Sequence, residues 1–210
     1  MTKMTAGRIT TLFVDIGGVL LTPGWDRPAR ARAAKYFRLD PEDFEERHHL
    51  ASDLYEVGRL DLPGYLDRVV FHERRRFERD ELRNFMFAQS FPHAATIALT
   101  RELKQRHALR IVAVSNEGRE LAQHRIQAFN LGAFTDLFVV SSFVRCRKPD
   151  TEIYRMALDI AQATPENVAY IEDRKMFAEI AAGLGLAAIH HTSVDSTRAS
   201  LAEMGLRGSA

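Results

Sequence analysis

One cysteine, one tryptophan and five lysines stand among 210 residues. The lone thiol, Cys146, can close no internal disulfide, so the fold has to be held by its core, and the chain suits a reducing compartment. Neither sign of charge dominates. Twenty-nine basic residues against 28 acidic ones leave a net +1, too weak a field to gather nucleic acid or an anionic membrane. Glycine and proline are scarce, 12 and 7, which excludes collagen-like and low-complexity chains. Long apolar runs are missing as well. The stretch from Leu12 to Leu21 is broken by Asp15 and is far shorter than the roughly 20 residues that span a bilayer. Met1 to Arg8 is polar, without the apolar centre of a signal peptide. The expectation is a cytoplasmic protein that binds neither membrane nor nucleic acid.

The chain has enough apolar residues, 46%, to bury a full core at this length. Short apolar runs that stop at polar residues recur along it. Thr11-Leu12-Phe13-Val14 ends at Asp15. Arg110 to Val114 ends at Ser115-Asn116-Glu117-Gly118. Leu137 to Val140 ends at Ser141-Ser142. Val168 to Ile171 ends at Glu172-Asp173, and Leu186 to Ile189 at His190-His191. Each reads as a buried strand. Between them lie helical repeats: Ile153, Tyr154, Ala157, Leu158 and Ala161 after the cap residue Asp150, then Met176, Phe177, Ile180, Ala181 and Leu184 before Gly185. Strands alternating with helices predict an α/β fold on a parallel sheet, with ligands bound beyond the carboxyl ends of the strands. From Trp25 to Gln89 no strand-like run stands out, and apolar residues keep helical spacing. That interval reads as a helical insertion.

The polar residues at the strand ends form a chemical set: the carboxylate of Asp15, the hydroxyl of Ser115, the ammonium of Lys148 and the acidic pair Glu172-Asp173. They suit phosphoryl transfer from a phosphomonoester. A metal held by Asp15 and the acidic pair would offset the repulsion between an anionic nucleophile and an anionic phosphate. Lys148 would neutralise a phosphate oxygen, Ser115 and nearby backbone N–H groups would hold others, and Asp15 would attack to form an aspartyl phosphate. On this reading Lys148 makes its main interaction with the ligand. Cys146 lacks a base partner and reads as inert. The pairs His48-His49 and His190-His191 read as structural rather than as metal sites, and Arg74-Arg75-Arg76 as a solvated helix face.

Four ordered strings, Asp15-Ile16-Gly17-Gly18-Val19-Leu20, Val114-Ser115-Asn116, Arg147-Lys148-Pro149-Asp150 and Ile171-Glu172-Asp173, resemble the motifs of the haloacid dehalogenase (HAD) superfamily. The segment Glu56-Val57-Gly58-Arg59-Leu60 resembles a piece of the helical cap found in its dehalogenase and sugar-phosphatase branch. The resemblance implies a Rossmann-like three-layer α/β/α core with a parallel sheet, residues 1–22 and 90–210, plus an inserted helical cap, residues 23–89. It implies Mg²⁺ as cofactor, held by Asp15, the Gly17 carbonyl, Asp173 and Glu172. It makes Asp15 the nucleophile, with Lys148 and Ser115 as its catalytic partners, and assigns phosphate binding to Ser115, Asn116, Lys148, Ile16 and Gly17. The expected partner is a small phosphorylated metabolite, and the expected assembly a monomer or homodimer.

One position departs from the family pattern. Residue 17, where phosphatases of the superfamily usually carry an acid–base Asp, is Gly17. Such help is worth about 10²–10⁴-fold. Its loss predicts a preference for good leaving groups such as sugar 1-phosphates. The alternatives are a 2-haloacid dehalogenase-like hydrolase, which needs no magnesium, and a catalytically weak, ligand-binding homologue. A phosphonatase would need a Schiff-base lysine in the cap, where only Lys35 is available.

Overall fold

The computed structural model describes residues 8–208. All of the polar N-terminal stretch except Arg8 therefore lies outside the described residues. Five strands, β1 (Thr11–Val14), β2 (Arg110–Ser115), β3 (Leu137–Val140), β4 (Val168–Glu172) and β5 (Ala187–His190), form one parallel sheet in the order β3-β2-β1-β4-β5. Ten α-helices accompany it among the described residues: α1 (Arg27–Phe37), α2 (Pro41–Glu56), α3 (Leu62–Val69), α4 (Arg79–Phe87), α5 (Ala94–His107), α6 (Arg119–Ala128), α7 (Ser141–Val144), α8 (Thr151–Ala161), α9 (Lys175–Gly183) and α10 (Val194–Glu203).

The strands are short apolar runs because both faces of the sheet are covered. Leu12 and Val14 of β1 enter a cluster with Leu99 and Leu103 of α5 and Leu201 of α10. Phe13, between them, faces the other way, into a cluster with Tyr154 and Ala157 of α8 and Ala181 of α9. The period of two along the strand thus makes a three-layer α/β/α core. Asp150 caps α8 by accepting from the Glu152 N–H, and Gly185, at φ +93, follows the end of α9.

Helices α1 to α4 build a third cluster around Phe44, Tyr55, Tyr65, Leu66, Leu82 and Met86, joined by Leu121 of α6. The first three begin alike. Asp26, Asp40 and Asp61 each accept a backbone N–H of the first turn, and a proline stands at the first or second helical position. A cap of this kind is worth about 1 kcal/mol, and proline costs nothing where the N–H has no helical partner. The chain enters and leaves this layer through paired segments: Thr22 N donates to Phe91 O, and His93 N to Leu20 O. No helix among the described residues is long and apolar enough to cross a membrane.

Candidate active site

Strand order puts the chemistry at one place. β1 lies between β2 and β4, and Val14 is level with Ala113 and Ile171. One step further, Asp15 emerges beside the ends of both neighbours, its N–H donating to Ile171 O. This is where the order of the sheet reverses, the position at which open α/β sheets bind ligands.

Asp15 is buried, and its Oδ1 accepts the Ile16 N–H at 2.7 Å. Its Oδ2 lies 2.9 Å from Lys148 Nζ. Lys148, 1% exposed, also donates to Glu172 Oε2 at 2.7 Å, to Tyr170 OH at 3.2 Å and to Val114 O at 3.1 Å. The lysine was expected to interact mainly with ligand. Protein groups also hold it firmly, since Glu172 has no exposure at all and needs a buried cation. Burial works against the ammonium, but Asp15 and Glu172 outweigh it and hold Lys148 above its usual range. Burial pushes the Asp15 carboxyl up to about 6, opposed by Lys148 and reinforced by Glu172.

Asp15, Glu172 and Asp173 each bring an oxygen within 4.8 Å of the others. Three carboxyl groups against one lysine leave a local excess of negative charge. Burial, then Asp15, pushes Asp173 above the usual carboxylate range. An all-oxygen set of this kind fits a hard divalent cation. Glu172 is already engaged: Oε2 accepts from Lys148 and Tyr170, and Oε1 from the Arg174 N–H. Gly18 lets the loop after β1 approach this cluster. At φ +80, a Cβ there would lie 2.0 Å from Asp173 Oδ2, so only glycine fits. Gly17 is different. Its φ lies outside the left-handed region, and a Cβ would rest 3.7 Å from Arg125 Nη1 and from Pro23.

The second motif supplies a clamp. Asn116 Nδ2 donates to Lys148 O at 2.7 Å while the Lys148 N–H donates to Asn116 Oδ1 at 2.9 Å, so the Asn116 side chain fixes the lysine's backbone. Ser115 Oγ donates to Glu117 Oε1 at 3.1 Å and also faces Asp15. Among the histidines, His190 Nε2 meets Asp173 O and His191 Nδ1 meets Thr197 Oγ1, while His48 Nδ1 meets Tyr65 OH. These are structural contacts, as the sequence suggests. Burial, with Asp150 nearby, raises the Cys146 thiol above its usual range, away from the thiolate form.

Five residues of the site escape the sequence reading: Glu56, Glu117, Arg125, Arg147 and Arg174. A small chamber of about 80 Å³ is lined by them together with Asp15, Gly17, Ser115, Asn116, Lys148 and Asp173. All five also line an adjoining chamber of about 440 Å³ that reaches Trp25, Asp26, Arg27, His48 and Tyr65. Glu117 and Arg125, both almost fully buried, pair at 2.6 Å, and Arg125 donates to Thr22 O. Arg147 reaches the end of α2, pairing with Asp53 and standing 2.9 Å from Glu56 Oε2. Three had a signal without a role: Glu117 in the polar string after β2, Arg147 beside Lys148 in the third motif, and Glu56 at the head of the cap-like segment. Arg125 sits in a helix whose charge pattern marks no face. A wider groove of about 860 Å³ between α3, α4 and α6 lies away from these groups.

The fold has clear counterparts. The HAD family enzyme bt-2542 of Bacteroides thetaiotaomicron superposes with TM-score 0.74 at 19% identity, covering 87% of this chain and 93% of that one. Its complex with magnesium and inorganic phosphate superposes at 0.70 with 18% identity, covering 86% and 93%. A dehalogenase superposes at 0.61 with 17% identity, covering 89% and 84%. At such identities the likeness is one of fold. In sequence, a phosphorylated carbohydrates phosphatase of Thermotoga maritima is 34% identical over 79 residues, which is 38% of this chain and 36% of the relative. The chain thus matches about a third of that relative's length. The family model of haloacid dehalogenase-like hydrolases matches residues 9–185. That span runs from the strand before Asp15 to the glycine after α9, and on it we conclude that this chain is a hydrolase belonging to the haloacid dehalogenase-like family.

Proposed function

We propose that the protein is a magnesium-dependent phosphatase that forms an aspartyl phosphate on a small phosphorylated metabolite. The observation that carries this reading is Asp15, 2.9 Å from the buried Lys148 and within one cluster with Glu172 and Asp173. A dehalogenase also uses an aspartate, but it has no need of a surplus of carboxylates around it. Residues 23–89 would act as the cap over a core of residues 1–22 and 90–210, in a cytoplasmic monomer or homodimer.

Asp15, Asp173 and the Gly17 carbonyl would hold Mg²⁺, with Glu172 supplying charge and orienting Lys148. Bound there, the ion neutralises charge on the phosphate as nucleophile and substrate approach. Lys148 neutralises a phosphate oxygen and keeps Asp15 ionised. Ser115 and the backbone of Ile16, Gly17 and Asn116 hold the rest of the phosphate. Asp15 Oδ attacks phosphorus in line, the bond to the leaving oxygen breaks, and water then cleaves the aspartyl phosphate. Sugar 1-phosphates, with a good leaving group, ask least of an acid. The Thermotoga relative's description as a carbohydrate phosphatase supports testing them first.

The test is hydrolysis of p-nitrophenyl phosphate with and without magnesium. The expected result is turnover that requires magnesium and vanishes in Asp15→Asn. Halide release from 2-chloropropionate without metal would replace this reading with the dehalogenase. Neither activity, with tight metabolite binding, would leave a ligand-binding homologue.

A further inference from the structure

Gly17 removes the usual proton donor, and Arg125 stands beside the position. A side chain there would start 3.7 Å from Arg125 Nη1. The proton for the departing alcohol has to come from another group, unless the enzyme does without one.

Four carboxyl groups line the inner chamber: Asp15, Glu56, Glu117 and Asp173. Asp15 is the nucleophile and Asp173 belongs to the metal cluster. Glu117 has a buried Oε2 without a hydrogen bond, but its Oε1 is held by Ser115 and, at 2.6 Å, by the buried Arg125. Asp26, at the mouth of the outer chamber, is spent on capping α1. Glu56 is left. It is the last residue of α2, and its carbonyl accepts the Ser141 hydroxyl at 2.6 Å, which ties the helix end to the core. Its Oε2 is buried and has no aligned hydrogen bond, although Arg147 Nη2 stands 2.9 Å away. Arg147 divides its charge between Glu56 and Asp53.

We propose that Glu56 is the acid–base group of this enzyme, delivered from the helical layer in place of an acid at position 17. This rests on the phosphatase reading. In the first step Asp15 Oδ bonds to phosphorus, the phosphorus–oxygen bond to the alcohol breaks, and the Glu56 proton passes to that oxygen. In the second step the Glu56 carboxylate takes a proton from water as the water oxygen bonds to phosphorus. The bond to Asp15 breaks, phosphate leaves, and Glu56 is protonated again. Burial, reinforced by Asp53 and opposed by Arg147 at 2.9 Å, raises the Glu56 carboxyl above its ordinary range, the direction in which a carboxyl becomes a better match for acid–base work near neutral pH.

The experiment measures kcat/KM, which covers steps through release of the alcohol, against leaving-group pKa from p-nitrophenol to primary alcohols. Wild type, Glu56→Gln and Glu117→Gln are compared, with circular dichroism and vanadate binding confirming that each variant folds. Wild type is expected to show a shallow dependence. Glu56→Gln is expected to lose about 10²–10³-fold on alkyl phosphates and no more than about threefold on p-nitrophenyl phosphate. It should also release a burst of p-nitrophenol as phosphorylated Asp15 accumulates. A steep dependence in the wild type overturns the proposal whatever the variants do. So does an equal loss on both substrate types in Glu56→Gln, or a leaving-group-selective loss in Glu117→Gln instead. Absence of any magnesium-dependent turnover in the wild type removes the phosphatase reading and this inference together, whereas turnover without a selective loss removes the inference alone.

Discussion

Two adjacent glycines after the first strand do different work. Gly18 is fixed by its positive φ and by Asp173 packed against it, so any side chain there would push the Asp173 carboxylate aside. Gly17 has neither restraint. Gly17→Asp is therefore expected to fold, with its Tm within a few degrees of wild type. Its carboxylate should pair with Arg125, so the gain on alkyl phosphates should stay below about tenfold, short of the 10²-fold at the lower end of general acid catalysis. Comparing alkyl phosphate rates of the two proteins checks this. Lys148 presents the opposite case. Removing a buried partner from a buried ion pair costs about 3–5 kcal/mol, and Lys148→Met would leave Glu172, with no exposure, uncompensated. The expected result is a Tm lower by roughly 10 °C together with loss of vanadate binding, read by thermal melts with and without vanadate. An unchanged Tm would show that Glu172 is neutral in the fold.

At the scale of elements, the seam between α2 and the core decides how Glu56 is presented. Gly58, just beyond α2, has φ +66, and a Cβ there would lie 2.4 Å from Ser142 O. That contact is with backbone, which cannot swing away. Gly58→Ala is expected to destabilise the protein by about 1–3 kcal/mol and to slow turnover more than it weakens vanadate binding, measured by denaturant unfolding and steady-state kinetics. Within the helical layer, Trp25 Nε1 donates to Tyr65 OH at 2.9 Å, and that hydroxyl lies 2.7 Å from His48 Nδ1. Burial, then Arg30, lowers the His48 pKa to about 4. The unfolded chain therefore binds more protons between pH 6.5 and 4, and this contribution to stability, complete above pH 6.5, is lost as pH falls toward 4. Buried acids with raised pKa values act in the opposite sense. The difference between wild type and His48→Gln isolates the histidine: the gap in Tm should shrink between pH 7 and 4.5.

For the molecule as a whole, the sheet gathers three carboxyl groups around one lysine, and on the proposed function a cation supplies the balance. A ligand that binds only the native state stabilises it by about 2.7 kcal/mol at a hundred times its Kd, which for a chain of this size is roughly 5–10 °C. Magnesium should raise Tm by that order in the wild type and by nothing in Asp173→Ala. Removing Asp173 also relieves repulsion with Asp15, so the variant without magnesium should melt at or above the wild type. A full magnesium shift in Asp173→Ala would take the metal away from this cluster.

The sequence by itself determined the strands, the two-sided core and the ordered motif residues. Apolar runs of four or five residues and helical repeats are local signals, and a polar residue ending a strand of a parallel sheet has only one edge to go to. It also determined the helical character of the stretch after the first motif, since Asp caps followed by proline act within a few residues. Only the tertiary structure decided which groups meet there. Glu117 and Arg125 are eight residues apart, but Arg125 also reaches Thr22, and Arg147 reaches Asp53 and Glu56, across about a hundred positions of chain that no periodicity spans. Lys148 was legible as a cation for the site, but not as one locked by protein groups, because that depends on Glu172 losing all contact with water. Whether the place of the missing acid at Gly17 is empty was equally beyond the sequence. Arg125 of α6 borders it, and a side chain's reach across a packed interface is fixed by the packing of both elements, not by the residues on either side of it.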